Sequence, residues 1–205
     1  MAKQERALRT RTALIASAAE GFAHEGFAVA SLTDISRRAG VSNGALHFHF
    51  ASKADLAAAV EEEASRRLAL LTREVRDDGR EVAALQDLVD VTHALADALR
   101  RDEVLRGGFS LAMEPTYVDG RDLRAQWRQW VDDVLERAHE AGELVTTVRP
   151  KDVGIVVTSA TVGMEVLGAR HPEWLSRQTL TRFWRLLLPR LAGSPAATRV
   201  RPEGL

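Results

Sequence analysis

The sequence predicts an all-α protein, with a small N-terminal unit of three helices built around a helix-turn-helix and a larger C-terminal helical body. Three observations carry that expectation. Apolar residues recur every three to four positions along most of the chain, with no convincing two-residue alternation and no internal repeat. Helix start and stop residues cut this pattern into about nine segments. At 205 residues, with 45% hydrophobic and 28% charged side chains, the chain is long enough for one core plus a satellite and too apolar to be disordered.

Taken in order, the first helix is expected from about Glu5 to His24, with Leu8, Ile15, Ala19 and Phe22 on one face and Gly26 as its stop. Ser31-Leu32-Thr33-Asp34 has the spacing of a capping box and opens a two-turn helix to Ala39, ended by Gly40. Ser42 caps a second short helix, Asn43 to Phe50. The box Ser52-Lys53-Ala54-Asp55 then starts a long helix to about Val75. After a break at Asp77-Asp78-Gly79, the residues Leu85, Leu88, Val89, Thr92, Leu95, Ala96 and Leu99 form a buried helix face. A short helix is expected over 104–113, and Pro115 and Gly120 bracket the loop after it. A helix over 121–141 turns Leu123, Trp127, Trp130, Val131, Val134 and Leu135 inward and stops at Gly142. Pro150 opens a helix to about Gly168, and His171-Pro172 breaks the chain before a last helix carrying Leu180, Phe183, Trp184, Leu187, Leu188 and Leu191. Residues 193–205, rich in proline, glycine and arginine, read as a disordered tail. The domains are therefore expected at 1–53, 54–192 and the tail 193–205.

Charge is uneven. Residues 1–53 hold seven basic and four acidic side chains, a net +3, whereas the remainder holds 21 basic and 25 acidic, a net −4. A basic head on an acidic body suits a polyanionic partner. The absence of cysteine excludes disulfides, cysteine-ligated metals and thiol catalysis. His47 and His49 lie two apart on a helix and cannot share a metal, and His93 and His139 are lone histidines. Carboxylate runs such as Glu61-Glu62-Glu63 and Asp132-Asp133 fit solvated faces, and there is no phosphate loop, nucleophile elbow or HExxH. No enzyme, cofactor or metal is expected. The N-terminus leads into no apolar signal core, and the least polar stretch, 153–168, carries Glu165 and is too short to span a bilayer, so a cytoplasmic protein is expected.

The decisive signal is residues 32–50. A glycine turn, Gly40-Val41-Ser42, between two short helices lets them cross steeply, with Ile35, Ala39, Val41, Leu46 and Phe50 spaced to pack the crossing. Such a crossing also occurs in ordinary helical hairpins. In a helix-turn-helix it projects the second helix into the DNA major groove. Asn43 and His47 can hydrogen-bond base edges there, and Ala45 can offer a methyl contact to thymine. Ser31, Thr33, Ser42 and Lys53 stand at helix starts, where hydroxyls and an ammonium suit phosphates.

The run Ala39-Gly40-Val41-Ser42-Asn43-Gly44-Ala45-Leu46-His47-Phe48-His49-Phe50-Ala51-Ser52-Lys53 resembles the signature A-G-V-s-x-G-x-L-Y-x-H-F-x-s-K of TetR-family transcriptional repressors. The resemblance covers about residues 8–60 and adds Gly44 and His49 to the DNA-facing set. His47 departs from the family's tyrosine, which puts the operator preference in doubt. Residues 44–50, Trp127 and the run Arg182-Phe183-Trp184-Arg185-Leu186-Leu187-Leu188-Pro189 are similar to the γ-butyrolactone-receptor branch of actinomycetes. That likeness implies a dimeric repressor of antibiotic-biosynthesis or regulatory genes, bound to a pseudo-palindromic double-stranded operator and released by a diffusible lactone- or furan-like signal. An orphan repressor answering to an antibiotic or another hydrophobic small molecule, or a DNA-binding module with only a protein partner, are the alternatives. Phe109, Met113, Trp127, Trp130, Thr158, Thr161 and Val162 are expected to line the effector pocket, although the same pattern would suit a plain bundle core. Val153, Val157, Leu167, Leu180, Trp184 and Leu187 exceed what one core needs and are expected at a two-fold interface.

Overall fold

The computed structural model describes residues 2–74, 83–114, 116–117, 121–193 and 197–204. Among the described residues there are nine α-helices: α1 (Ala2–Glu25), α2 (Leu32–Arg38), α3 (Asn43–His49), α4 (Lys53–Glu74), α5 (Ala84–Arg101), α6 (Glu103–Leu111), α7 (Leu123–Glu140), α8 (Pro150–Gly168) and α9 (Arg177–Leu191). Two short 3-10 turns, Pro172–Leu175 and Ala197–Arg199, and one isolated bridge between Leu144 and Ala192 complete the described elements. The all-α expectation holds, with helix ends within a few residues of those read from the sequence. The expected break at Asp77-Asp78-Gly79 and the loop residues Pro115 and Gly120 lie outside the described residues. Three glycines chosen as helix stops, Gly26, Gly40 and Gly142, have φ of 81°, 68° and 68°, a left-handed backbone that other residues adopt only with strain.

The chain divides into two compact units, Met1–Arg67 with Asp102–Leu123, and Leu68–Arg101 with Arg124–Leu205. The first unit is larger than the segment 1–53 expected to bind DNA. The first unit also takes most of α4 and all of α6, because α6 packs on α1.

In the first unit the buried stripe of α1 is Leu14, Ala18, Ala19 and Phe22, all fully inaccessible, while Leu8 of the expected stripe is 61% exposed. The fully buried register of α1 begins at Leu14. Ser17 Oγ donates to the Ile35 carbonyl at 2.9 Å and ties α1 to α2. A Cβ on Gly107 would stand 2.6 Å from the Ala19 carbonyl oxygen, and one on Gly108 would stand 2.4 Å from the Ala64 Cβ. Two mid-helix glycines cost about 1 kcal/mol each in helix propensity. They let α6 lie backbone-close to α1 on one side and α4 on the other. Asp102 starts α6, its Oδ1 accepting from the Val104 and Leu105 N–H groups at 2.9 and 3.2 Å and from Arg67 Nη1 at 2.6 Å.

In the second unit the predicted face of α5 is buried as read, from Leu85 through Leu99. Its first turn is capped from far along the chain. Glu143, in the turn after α7, accepts from the Ala84 and Leu85 N–H groups at 2.9 Å each. Trp184 of α9 is inaccessible and donates its Nε1–H to Thr92 Oγ1 of α5 at 2.8 Å. The disordered tail expected over 193–205 does not describe residues 197–204. Ala197 is buried, and Gln86 of α5 brackets Arg201, accepting from its N–H at 2.7 Å. His93 Nε2 meets the Pro202 carbonyl at 3.0 Å, and Arg185 pairs with Glu203 at 2.5 Å. Composition missed these contacts because the partners of Arg201 and Pro202 lie about a hundred residues away in sequence and that of Glu203 lies on α9.

Candidate nucleic-acid interface and effector site

The helix-turn-helix is held together by apolar contacts and by one polar link across its turn. Ile35 and Leu46 are inaccessible and Phe50 is 4% exposed, so α2 and α3 meet on the residues that the spacing singled out. Ser42 caps α3 as read, its Oγ accepting from the Ala45 N–H at 3.2 Å. Ser36 Oγ donates to Asn43 Oδ1 at 2.5 Å and fixes the side chain at the start of α3, leaving the amide nitrogen of Asn43 toward solvent. Asn43, Gly44 and His47 are exposed, Ala45 and His49 half-buried and Leu46 buried. The outward face of α3 thus presents hydrogen-bonding groups of the kind that read base edges.

Two expectations in this region are corrected. The capping box at Ser31 does not form: the Ser31 side chain makes no cap, and Asp34 pairs instead with Arg37 Nη2 at 2.6 Å. Ser31 and Thr33 remain beside the start of α2, half-buried and exposed respectively. Lys53 is not available for phosphate either. Its Nζ donates to the carbonyls of Phe27, Ala28 and Ala30 at 2.6, 3.2 and 3.0 Å and stands 4.6 Å from the Phe27 ring centroid. An ammonium has three donors, and all three are engaged in holding the 27–30 loop. Sequence reading also missed Arg11. Its guanidinium lies 4.7 Å over the Phe50 ring, which brings a cation from α1 beside the C-terminal end of α3. Only helical spacing between α1 and a residue forty positions on could have shown it, and no local pattern does.

In the second unit, Trp127 of α7 is 1% exposed and stacks on Trp130, with ring centroids 5.1 Å apart and planes at 21°. Trp127 Nε1 donates to Thr161 Oγ1 of α8 at 2.8 Å, and that hydroxyl has the Val157 and Thr158 carbonyls at 2.9 and 3.1 Å to donate to. The two residues chosen as polar effector contacts therefore satisfy each other. Among the described residues, Trp130 Nε1 and Thr158 Oγ1 beside them are buried without a hydrogen-bond partner. Val162 is half-buried on the same helix. Arg124 pairs with Glu165 at 2.6 Å, and burial nevertheless pushes the Glu165 carboxyl above its usual range. Phe109 and Met113 belong to the first unit, Phe109 packed in its core and Met113 62% exposed.

The expected two-fold interface is corrected in part. Val153, Val157, Leu180 and Trp184 are 5% exposed or less, buried within the protomer. Periodicity marks a residue as buried without saying by what. Leu167 is 43% exposed and Leu187 half-buried, and the apolar residues left open on these helices include Ile155, Val156 and Val166 of α8 and Leu186 of α9.

Residues 14–60 match the bacterial regulatory proteins of the tetR family. Over its whole length the chain is 31% identical to the A-factor receptor protein of Streptomyces griseus, covering 71% of that protein. The crystal structure of a γ-butyrolactone receptor, an ArpA-like protein, is 29% identical over 97% of this chain and 96% of its own, with a TM-score of 0.81. CprB from Streptomyces coelicolor, solved in complex with its biological operator sequence, is 30% identical over 95% of this chain and 94% of its own, with a TM-score of 0.77. By its helix-turn-helix and by this full-length relationship, the chain belongs to the tetR family of bacterial regulatory proteins, in its γ-butyrolactone-receptor-like branch.

Proposed function

We propose that this protein is a ligand-responsive transcriptional repressor, which binds a pseudo-palindromic DNA operator as a homodimer and is released by a γ-butyrolactone- or furan-like signal. The observation that carries the reading is the outward face of α3, where Asn43 is fixed by Ser36 and His47 stands in solvent on a helix-turn-helix of the kind that CprB was solved with on its operator. Residues 1–53 read the operator, with Asn43 and His47 on base edges, Gly44, Ala45 and His49 along the same helix, and Ser31, Thr33 and Ser42 near the phosphates. Residues 54–192 take the effector and dimerise. Arg11 joins the DNA-facing set, and Lys53 supports it from behind by holding the 27–30 loop. Among the described residues no helix is long and apolar enough to cross a membrane, and the protein acts where its DNA is, in the cytoplasm, without catalysis.

The effector site centres on the Trp127–Trp130 stack. Because Trp127 and Thr161 are bonded to each other, the effector's polar atoms meet the buried Trp130 N–H and Thr158 hydroxyl, while its alkyl or acyl part packs against the indole faces and Val162. A relative 29% identical over 89% of this chain was solved as a molecular basis for control of antibiotic production by bacterial hormones, which supports control of antibiotic-biosynthesis or regulatory genes by this protein. Dimerisation uses the open apolar residues of α8 and α9. Selection of duplexes from a random pool by the full-length protein tests the reading. It should recover a pseudo-palindrome with half-sites about one helical turn, ~34 Å, or a small multiple apart, bound with steep salt dependence. Recovery of no preferred duplex, or of a single unrepeated site, would contradict it.

A further inference from the structure

We propose that Phe48 is a base-reading residue, its ring packing on the 5-methyl groups of thymines in the operator's major groove. The proposal rests on the DNA-binding reading above and names a contact that reading does not contain. Phe48 is 82% exposed on a helix whose Leu46 is inaccessible and whose following residue, Phe50, is 4% exposed. Its ring meets His49 edge-on at 5.2 Å, a neighbour on its own helix that leaves most of the phenyl surface in water. At about 100° per residue, Gly44 and Phe48 form one outward row of α3, and Asn43 and His47 form the row beside it.

Gly44 points the same way. A Cβ there would come no closer than 3.8 Å to Ser42 Oγ, and its φ is not positive, so nothing inside the chain asks for glycine. Glycine weakens a helix, and a bare backbone beside an exposed ring suits a surface that approaches from outside. Charge and chemistry narrow that surface to DNA. Residues 1–53 carry a net +3, and the ring sits beside a row of hydrogen-bonding side chains rather than in an apolar patch. The one apolar group on base edges in the major groove is the thymine methyl. Ala45, expected from sequence to make that contact, is half-buried three residues earlier, whereas Phe48 reaches further out.

The test uses the full-length protein and the duplex recovered by selection, prepared once with thymine and once with uracil at every thymine position. The two differ only in the methyl groups. Wild type should bind the thymine duplex about three- to tenfold more tightly. Phe48→Ala should keep its melting temperature, because the ring lies in solvent, and should bind both duplexes equally, near the wild-type value for uracil. Asn43→Ala should weaken binding to both while keeping their ratio. Equal binding of the two duplexes by wild type overturns the proposal and leaves the DNA-binding reading intact. So does an unchanged ratio in Phe48→Ala. A change of oligomeric state in Phe48→Ala without DNA would assign the ring to a protein contact and overturn it as well. Failure to recover any duplex removes both.

Discussion

Replacing Thr161 by valine keeps the side-chain shape and removes one hydroxyl. That hydroxyl is the acceptor for the indole N–H of Trp127, at 2.8 Å, and Trp127 is 1% exposed. Water cannot replace the lost acceptor at such a site, so the variant leaves a buried donor unsatisfied, which costs about 1–3 kcal/mol. The helical carbonyls of Val157 and Thr158 lose a hydroxyl donor but keep their backbone partners, so they add little. For a chain of this size the expected loss corresponds to a fall of roughly 2–12 °C in Tm. Thr161→Ser keeps the acceptor and should lose less, at most about 2 °C. Thermal and urea denaturation, followed by circular dichroism and tryptophan fluorescence, measures both variants without any effector present. If Thr161→Val is as stable as wild type and Thr161→Ser, the Trp127–Thr161 bond is not a structural tie, and both residues return to the list of direct effector contacts.

Other expectations follow from the same geometry. Lys53→Met should destabilise the first unit by about 1–2 kcal/mol, since three carbonyls lose a charged donor at a half-exposed site, and hydrogen exchange should accelerate at residues 26–31; unchanged exchange there would contradict the loop-anchor role. Glu61 and Glu63 of α4 should titrate in opposite senses. Burial, against the hydrogen bonds from Tyr117 and the Arg121 N–H, raises Glu61 above 4.5, so its contribution is full below that pH and declines as pH rises through the folded value. Hydrogen bonds from Arg66 and then Arg67 lower Glu63 to about 2, so its contribution is present above 4.5 and disappears as pH falls toward about 2. Urea denaturation between about pH 3 and about pH 7 should show a flatter neutral limb for Glu61→Gln and a flatter acid limb for Glu63→Gln. Leu186→Asp, at a side chain 80% exposed, should leave a folded monomer in sedimentation, whereas Trp184→Asp should unfold the protomer; a dimer of Leu186→Asp would move the interface off this face of α9.

Where the sequence was legible, the signal was local. Gly26, Gly40 and Gly142 could be chosen as helix stops because a positive φ leaves a compositional mark, and Ser42 could be chosen as a cap because it bonds three residues on. The buried face of α5 followed from its period. What stayed hidden involves partners far along the chain. Glu143 caps α5 from 59 residues away, and Lys53 reaches back 23 to 26 residues to three carbonyls, so neither leaves a motif. Gly107 and Gly108 look like a flaw in a short helix until Ala19 and Ala64 are seen against them. Val157 and Trp184 show the remaining ambiguity. An apolar period marks them as buried, yet only the structure distinguishes the protomer's own core from a partner's surface.

In a ligand-responsive repressor DNA and a small effector act on one protein through linked sites, so each must change the other's affinity by the same factor. Fluorescence anisotropy on the selected duplex gives the factor by which a synthetic γ-butyrolactone raises the Kd for DNA. Calorimetry gives the Kd for the lactone with and without saturating duplex. Linkage requires the two factors to be equal, and a coupling of about 5- to 150-fold is expected. A lactone that binds the protein while leaving DNA affinity unchanged, or a duplex whose affinity no lactone alters, would contradict a ligand-responsive repressor.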